Sequence, residues 1–296
     1  MSPITIVLLC HNRPAFAENA IKSILNQTEK NFRFVVSDNS SNRELQEVMK
    51  ARYPKVEYIS RFPGIPFLEH FKEVISFVDT QYFVMFHDDD SLEPDFVGRI
   101  LEEFKKEPLA SAIGTNAWVI DGNGNKNLNQ TTYVGPEEIK VISCRKVLLR
   151  QYLASDFGGI VPFCSYAFNT ELIKGVMPNF SMRDNFDTYF LMEVVDRGPI
   201  LWINEPLVGA RRHENNRSHI SGVCCYKPFV NIGRDLLGSI IKQSHIDEYH
   251  FLRLFFLLKK NQKRPAPAIK YLIRVFPKLM IVSHSFRKRI FKKIFS

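Results

Sequence analysis

Residues 87–90 read His-Asp-Asp-Asp and directly follow the apolar run Tyr82-Phe83-Val84-Met85-Phe86. Adjacent carboxylates repel, by about 1 kcal/mol per pair in bulk water and by about 4 kcal/mol at an effective dielectric of 20. Three of them against a core strand point to a cation. Asp88, Asp89 and Asp90 are hard oxygen donors, which suits Mg²⁺ or Mn²⁺ held by one or two carboxylates plus substrate phosphates. The competing reading is a solvated turn before a helix that opens at Pro94, where acids favour the helix dipole. Ser91 and Glu93 suffice for that role.

Two more polar clusters end apolar runs. His11-Asn12-Arg13 follows Ile4-Thr5-Ile6-Val7-Leu8-Leu9-Cys10, and Asp38-Asn39-Ser40-Ser41 follows Phe34-Val35-Val36-Ser37. Asp38 is suited to accept from a ribose hydroxyl or a base edge. Its competing reading is an N-cap for the following helix, with Asn39 and Ser41 as rivals. No GxGxxG or GxxxxGK[ST] motif follows the first strand, so neither a dinucleotide fold nor a P-loop is supported.

The elements that must carry these clusters alternate. Strands are expected over 4–10, 33–37, 56–60 and 81–86. Helices are expected after Pro14, with Phe16, Ala20, Ile21, Ile24 and Leu25 on one stripe, then over 43–51, over 67–78, and from Pro94. This rhythm predicts an α/β fold, an open, mostly parallel sheet flanked by helices, whose strand carboxyl ends form the ligand crevice. Further on, 113–127 reads as a strand entering a hairpin turn, 126–142 as turn-rich, 160–169 as a strand and 186–198 as a helix. Two strand-like runs then break at Glu205-Pro206. From 223 onward the pattern is helical, with 259–269 as a linker, giving a domain over 1–222 and a helical region over 223–296.

The chain has 296 residues, is 45% hydrophobic and carries five cysteines. That is enough for one substantial core, and the odd, scattered cysteines read as free thiols in a reducing compartment. Neither a secretory leader nor a membrane span is expected. The formal net charge is +9, and residues 247–296 hold 13 Lys/Arg against 2 Asp/Glu. The remainder of the chain is nearly balanced, so the basic character belongs to the C-terminal region. Such a region seeks phosphate on lipid or nucleic acid.

The ordered set "ITIVLLCHNRP", "AIKSILNQTEKNFRFVVSDNSS" and "YFVMFHDDDSLEPDF" resembles the family 2 glycosyltransferases of GT-A fold. The similarity runs over about residues 3–105. It resumes at 186–218, where "RRHENNRS" matches an R-x-H-x-x-N-x-S element through Arg211, His213, Asn216 and Ser218. The resemblance implies a metal-dependent, inverting transfer of a sugar from a nucleotide-diphosphate sugar, UDP-linked by preference. It implies that His11, Asn12 and Arg13 line the base pocket, that Asp38 contacts uracil or ribose, and that Asp88 sits near the ribose. Asp89 would lead the metal ligands with Asp90 in support and His213 near the diphosphate or the ion, Mn²⁺ or Mg²⁺. Arg211 would meet phosphate. The base would be Asp187, with Asp184 in reserve, although Phe186 replaces the usual preceding Glu. His87 likewise stands where the family more often has Asp.

The tail "KLMIVSHSFRKRIFKKIFS" (278–296) reads as a basic amphipathic helix, suited to an anionic membrane surface rather than to nucleic acid. Phe157, Trp118, Phe163, Tyr166 and Phe180 are candidates for an acceptor wall, or plain core. The expectation is a cytoplasmic enzyme, peripheral at the inner face of the cell membrane, acting on a glycan or polyprenyl-diphosphate-linked acceptor in O-antigen or capsule synthesis. The alternative is a catalytically inactive sugar-nucleotide or glycan-binding protein docked at a membrane.

Overall fold

Strand β1 (Ile4–Cys10) is buried along its whole length because both of its neighbours in the sheet are strands and both of its faces are covered. The computed structural model describes residues 2–153, 159–177, 186–212, 243–244, 247–248, 251, 266–284 and 286–287. The chain divides into two compact units. One is formed by Met1–Arg145, Ile160–Met182 and Phe186–Asn216, the other by Lys146–Gly159, Arg183–Asn185 and Arg217–Ser296. The expected boundary at residue 222 lies outside the described residues.

In the first unit β1 pairs in parallel with β2 (Phe32–Asp38) and β4 (Tyr82–His87), and β2 with β3 (Glu57–Ser60). The other strands are β5 (Ser91–Leu92), β6 (Ala112–Ile120), β7 (Lys126–Thr131), β8 (Ile139–Ile142), β9 (Ala167–Asn169) and β10 (Ile200–Arg211). The sheet runs β3-β2-β1-β4-β9-β6-β10-β5, with β7 on β6 and β8 on β10. It is parallel on the β3–β4 side. Short β9 enters antiparallel to both β4 and β6, and β6 and β10 are again parallel. The order 3-2-1-4 leaves a switch point at β1, where successive connections depart to opposite sides and a crevice opens at the strand ends.

Helices α1 (Pro14–Leu25), α2 (Glu44–Arg52), α3 (Phe67–Phe77), α4 (Phe96–Lys106), α5 (Arg145–Leu153) and α6 (Phe186–Val195) follow in order. Period-2 alternation divides the core. Ile4, Ile6 and Leu8 of β1 join Ala17, Ala20, Ile21 and Ile24 of α1 and Phe96, Ile100 and Phe104 of α4 in one cluster. On the other face Phe83 meets Phe168, Phe168 meets Phe190 of α6, and Phe190 meets Phe71 of α3, with centroids 5.4–5.6 Å apart.

Several elements differ from expectation for local reasons. Leu25 is 43% exposed, because the apolar stripe of α1 ends at Ile24. The 160–169 strand is a 3-10 turn at Phe163–Ser165 followed by three-residue β9, since Ser165 turns back to bond the Pro162 carbonyl through both its N–H and its hydroxyl. The two runs about Glu205-Pro206 are one strand. Proline has no N–H for the ladder, and the pairing with β6 shifts there as a bulge instead of ending.

The second unit contains α7 (Ala266–Val282), which opens inside the expected 259–269 linker. Pro267 lies in its first turn, where a missing N–H is harmless. Leu272, Val275 and Leu279 are buried on one side, and Phe286 packs edge-on against Phe251 at 5.0 Å.

Phe71 is 1% exposed and touches Phe67, Phe163, Phe186 and Phe190. Phe71→Ala is expected to cost about 3–5 kcal/mol, the range for emptying a buried aromatic site. A lowered urea midpoint in equilibrium unfolding checks this.

Candidate active site

Parallel register brings the three polar clusters to one edge. Cys10 lies beside Asp38, and Leu9 beside His87, so the residues that follow emerge side by side. The chain then turns sharply at Asn12, whose φ of 55° is left-handed. Asparagine tolerates that conformation better than most residues. Its side chain secures the turn: Nδ2 donates to Ser41 Oγ at 3.0 Å, and Oδ1 accepts the Ser41 N–H at 2.9 Å. The Asn12 N–H donates to Ser40 Oγ at 2.9 Å, and His11 Nδ1 lies 2.7 Å from the Asn39 carbonyl.

Turning at Asn12 carries Arg13 over the acids. Its guanidinium bridges Asp88 and Asp89, at 2.8 Å to Asp89 Oδ2. Asp88, whose side chain is 1% exposed, also accepts the His11 N–H at 2.9 Å. Burial pushes its carboxyl up to about 7, while the Arg13 charge and the His11 N–H pull it down. Arg13 is therefore the internal counter-charge that makes the acid run compatible with a core strand. Asp89 is the more open of that pair, with 15% of its side chain exposed.

Asp90 turns the other way. Its Oδ1 accepts the Arg211 N–H at 2.8 Å, Cys164 donates its thiol to the carboxylate, and His87 Nδ1 lies 3.9 Å from Oδ2. Burial raises the Asp90 carboxyl, the charge on Asp89 adds to the effect, and the thiol and the N–H oppose it. Burial also lowers His87, which keeps its ring neutral and able to ligate. Ligand atoms of His87, Asp90 and Cys164 lie within 4.8 Å of one another. With Asp89 beside them, this donor set fits a divalent cation.

Arg211, expected at phosphate, is 5% exposed and engaged with main chain. Its Nε donates to the Asp89 carbonyl at 2.6 Å, and Nη1 donates to the carbonyls of Asp121 at 2.9 Å and Gly122 at 3.0 Å. The guanidinium carbon lies 4.9 Å from the Phe16 ring centroid. In this arrangement it clamps the acid turn to the end of β10 and to the β6–β7 turn.

Asp38 is 2% exposed. It accepts the Ser40 N–H at 3.0 Å and the Tyr58 hydroxyl at 2.6 Å. The first N–H of α2, that of Glu44, donates to Asn42 Oδ1 at 3.2 Å, and the N-cap residue Arg43 adds no side-chain cap, so the N-cap reading of Asp38, Asn39 and Ser41 does not hold. Beneath it, Ser37 Oγ lies 2.7 Å from His70 Nε2 and accepts from Arg61 at 2.6 Å, and burial pushes His70 down to about 3. Asp187 stands in the first turn of α6 and accepts the Thr188 N–H at 2.7 Å. Burial raises its carboxyl. Phe186 before it packs on Phe163 at 5.9 Å, and Phe163 stacks beside His87 at 6.3 Å, so an aromatic chain joins the start of α6 to the end of β4.

Phe163 and Tyr166 are core residues, 8% and 0% exposed, and not an acceptor wall, whereas Trp118 is half-buried. Asp184, His213, Asn216, Ser218, Phe157 and Phe180 lie outside the described residues. Sequence reasoning missed Tyr58 and Cys164, which lie in stretches whose pattern signals only packing.

The profile of the family described as "Glycosyl transferase family 2" matches residues 5–169. The chain belongs to glycosyl transferase family 2. Chondroitin synthase of Escherichia coli is 26% identical to it over 219 residues, 73% of this chain and 30% of that protein. Protein CgeD of Bacillus subtilis strain 168 is 24% identical over 129 residues, 40% of this chain and 30% of that protein. The chain thus spans under a third of the length of either relative. Among solved folds, S. aureus TarS 1–349 in complex with UDP-GlcNAc superposes with a TM-score of 0.60 at 14% identity, covering 93% of this chain and 80% of that one. The mannosyltransferase PcManGT of Pyrobaculum calidifontis, in complex with GDP-Man and Mn²⁺, gives 0.50 at 11% identity, covering 95% and 70%. These likenesses show the GT-A fold.

Arg13 and a divalent cation would compete for Asp89, which Arg13 already pairs. Arg13→Met is therefore expected to tighten Mn²⁺ binding roughly tenfold, about 1.4 kcal/mol of lost competition. Electron paramagnetic resonance of free Mn²⁺ during titration checks this.

Proposed function

We propose that the protein transfers a sugar from a nucleotide-diphosphate sugar, UDP-linked by preference, to a hydroxyl of a glycan or lipid-linked acceptor, with inversion and with a divalent cation. The observation that carries this reading is the meeting of Asp38, the Asp88–Asp90 run and Arg13 at the carboxyl ends of β1, β2 and β4 in a family 2 chain. The UDP-GlcNAc bound by TarS and the GDP-Man and Mn²⁺ bound by PcManGT support it by analogy of fold.

Asp38, fixed by Tyr58 and Ser40, receives the base or ribose edge, with His11 and Asn12 lining the same pocket and Asp88 near the ribose. Asp89 and Asp90 would hold the cation, with His87 as a further donor and His213 approaching from the following segment. The cation would supply Lewis-acid neutralisation of charge on the departing diphosphate. A neutral imidazole beside the carboxylates favours Mn²⁺ over Mg²⁺, which keeps to oxygen ligands. Arg13, where the cation replaces it on Asp89, would be released toward the nucleotide. Arg211 keeps the turn in place.

Asp187 serves as general base. It removes the acceptor proton while the acceptor oxygen bonds to the anomeric carbon and the bond to the diphosphate breaks on the opposite face. Its raised affinity for protons suits that role, since a base works best with a pKa near the working pH. Asp184 is the reserve. The match to chondroitin synthase supports a place in surface-polysaccharide assembly, of O-antigen or capsule type.

The test is calorimetric titration of UDP with and without Mn²⁺, followed by a donor screen read as UDP or GDP release. Binding that strengthens with Mn²⁺ and turnover on at least one donor are expected. Asp187→Asn should lower turnover by about 10²–10⁴-fold while leaving UDP affinity unchanged. UDP binding indifferent to Mn²⁺ and to Asp89→Asn would overturn the metal assignment.

A further inference from the structure

Helix α7 has one packed face and one bare face. Leu272, Val275 and Leu279 are buried, whereas Ile273 is 70% and Ile281 78% exposed. The bare face is built as two adjacent rows at helical spacing. Ile273, Pro277 and Ile281 form one row, and Lys270, Arg274 and Lys278 the other, all exposed, with Lys278 Nζ 3.6 Å from Asp247 Oδ2. No acid occurs anywhere in α7. Arg287 adds a further cation at its end, donating to the carbonyls of Met280 at 2.8 Å and Ile281 at 2.9 Å.

We infer that this face lies on the surface of an anionic lipid bilayer, with the isoleucines in the headgroup boundary and the basic row against lipid phosphate. Charge complementarity selects the occupant: residues 247–296 hold 13 Lys/Arg against 2 Asp/Glu, so the excess is concentrated in the stretch of sequence that contains this helix. A nucleic acid would match the basic row but would leave both isoleucines in water. A protein partner fits less well, since lysine is depleted from protein–protein interfaces. A bilayer boundary serves both rows at once. No helix among the described residues is long and apolar enough to cross a membrane, so the contact is lateral. The sequence pattern pointed to 278–296; residues 288–296 lie outside the described residues, and the exposed face belongs to the helix before them.

The inference is independent of the donor chemistry, because vesicle binding is read with no nucleotide or acceptor present. The full chain is co-sedimented with phosphatidylcholine vesicles and with vesicles that also contain phosphatidylglycerol. Binding to the anionic vesicles, weakened by salt and at least tenfold weaker in both Ile273→Asp/Ile281→Asp and Lys270→Gln/Arg274→Gln, is expected. All four positions are exposed, and unchanged thermal unfolding establishes that the variants fold. Ile273→Trp provides a direct reporter, whose emission should shift to the blue on adding anionic vesicles. Equal binding to neutral vesicles, wild-type binding by either double variant, or unmoved tryptophan emission would overturn the inference. Self-association in sedimentation velocity that Ile273→Asp/Ile281→Asp abolishes would do so too, and would assign the face to a second copy.

Discussion

A buried carboxylate must meet a positive charge or take up a proton, and this chain places three acids in succession at the end of a core strand. The structure resolves the conflict with Arg13, which reaches across from the neighbouring strand end to bridge Asp88 and Asp89. Much of the local architecture follows from that need. Asn12 must turn left-handed to bring the arginine back over the sheet, and Ser40 and Ser41 must lie where they can hold Asn12. Arg211 fastens the same turn twice, its guanidinium through main-chain carbonyls and its N–H through the Asp90 carboxylate.

The aromatic layer beneath the sheet provides rigidity. Side chains alternate along β4, so His87 falls on the same face as Phe83 and meets Phe163 there. Phe163 in turn touches Phe186, the residue before the candidate base. A base and a metal seat on different elements must hold their separation to a fraction of an ångström if reacting atoms are to be aligned. Interlocked rings, each with few rotatable bonds, are a good way to hold it.

Much of the parallel half was legible in the sequence. A continuous apolar run as short as Ile4–Cys10 reads as a strand covered on both faces, and polar residues that follow three such runs cluster once those strands pair in parallel. The later strands were harder. Their signal depends on partners distant in sequence: the bulge that carries β10 through Pro206 exists only against β6, and β9 is three residues long because it fills a gap between β4 and β6. Linker-like residues at 266–269 joined a helix because a proline in a first turn and a proline in a linker look alike in sequence.

By itself the sequence determined the residue types at the site, their order, the α/β alternation and the basic C-terminal end, all of which are local or compositional properties. Only the tertiary structure decided how the charges are partnered. Arg13 and Arg211 both lie far in sequence from the Asp88–Asp90 run, yet the guanidinium of one bridges two carboxylates and that of the other serves carbonyls, and Cys164 reaches Asp90 from a segment with no marker of function. Coulomb and hydrogen-bond energies depend on distances between groups dozens of residues apart. Those distances are set by strand register and helix packing, which no window of sequence contains.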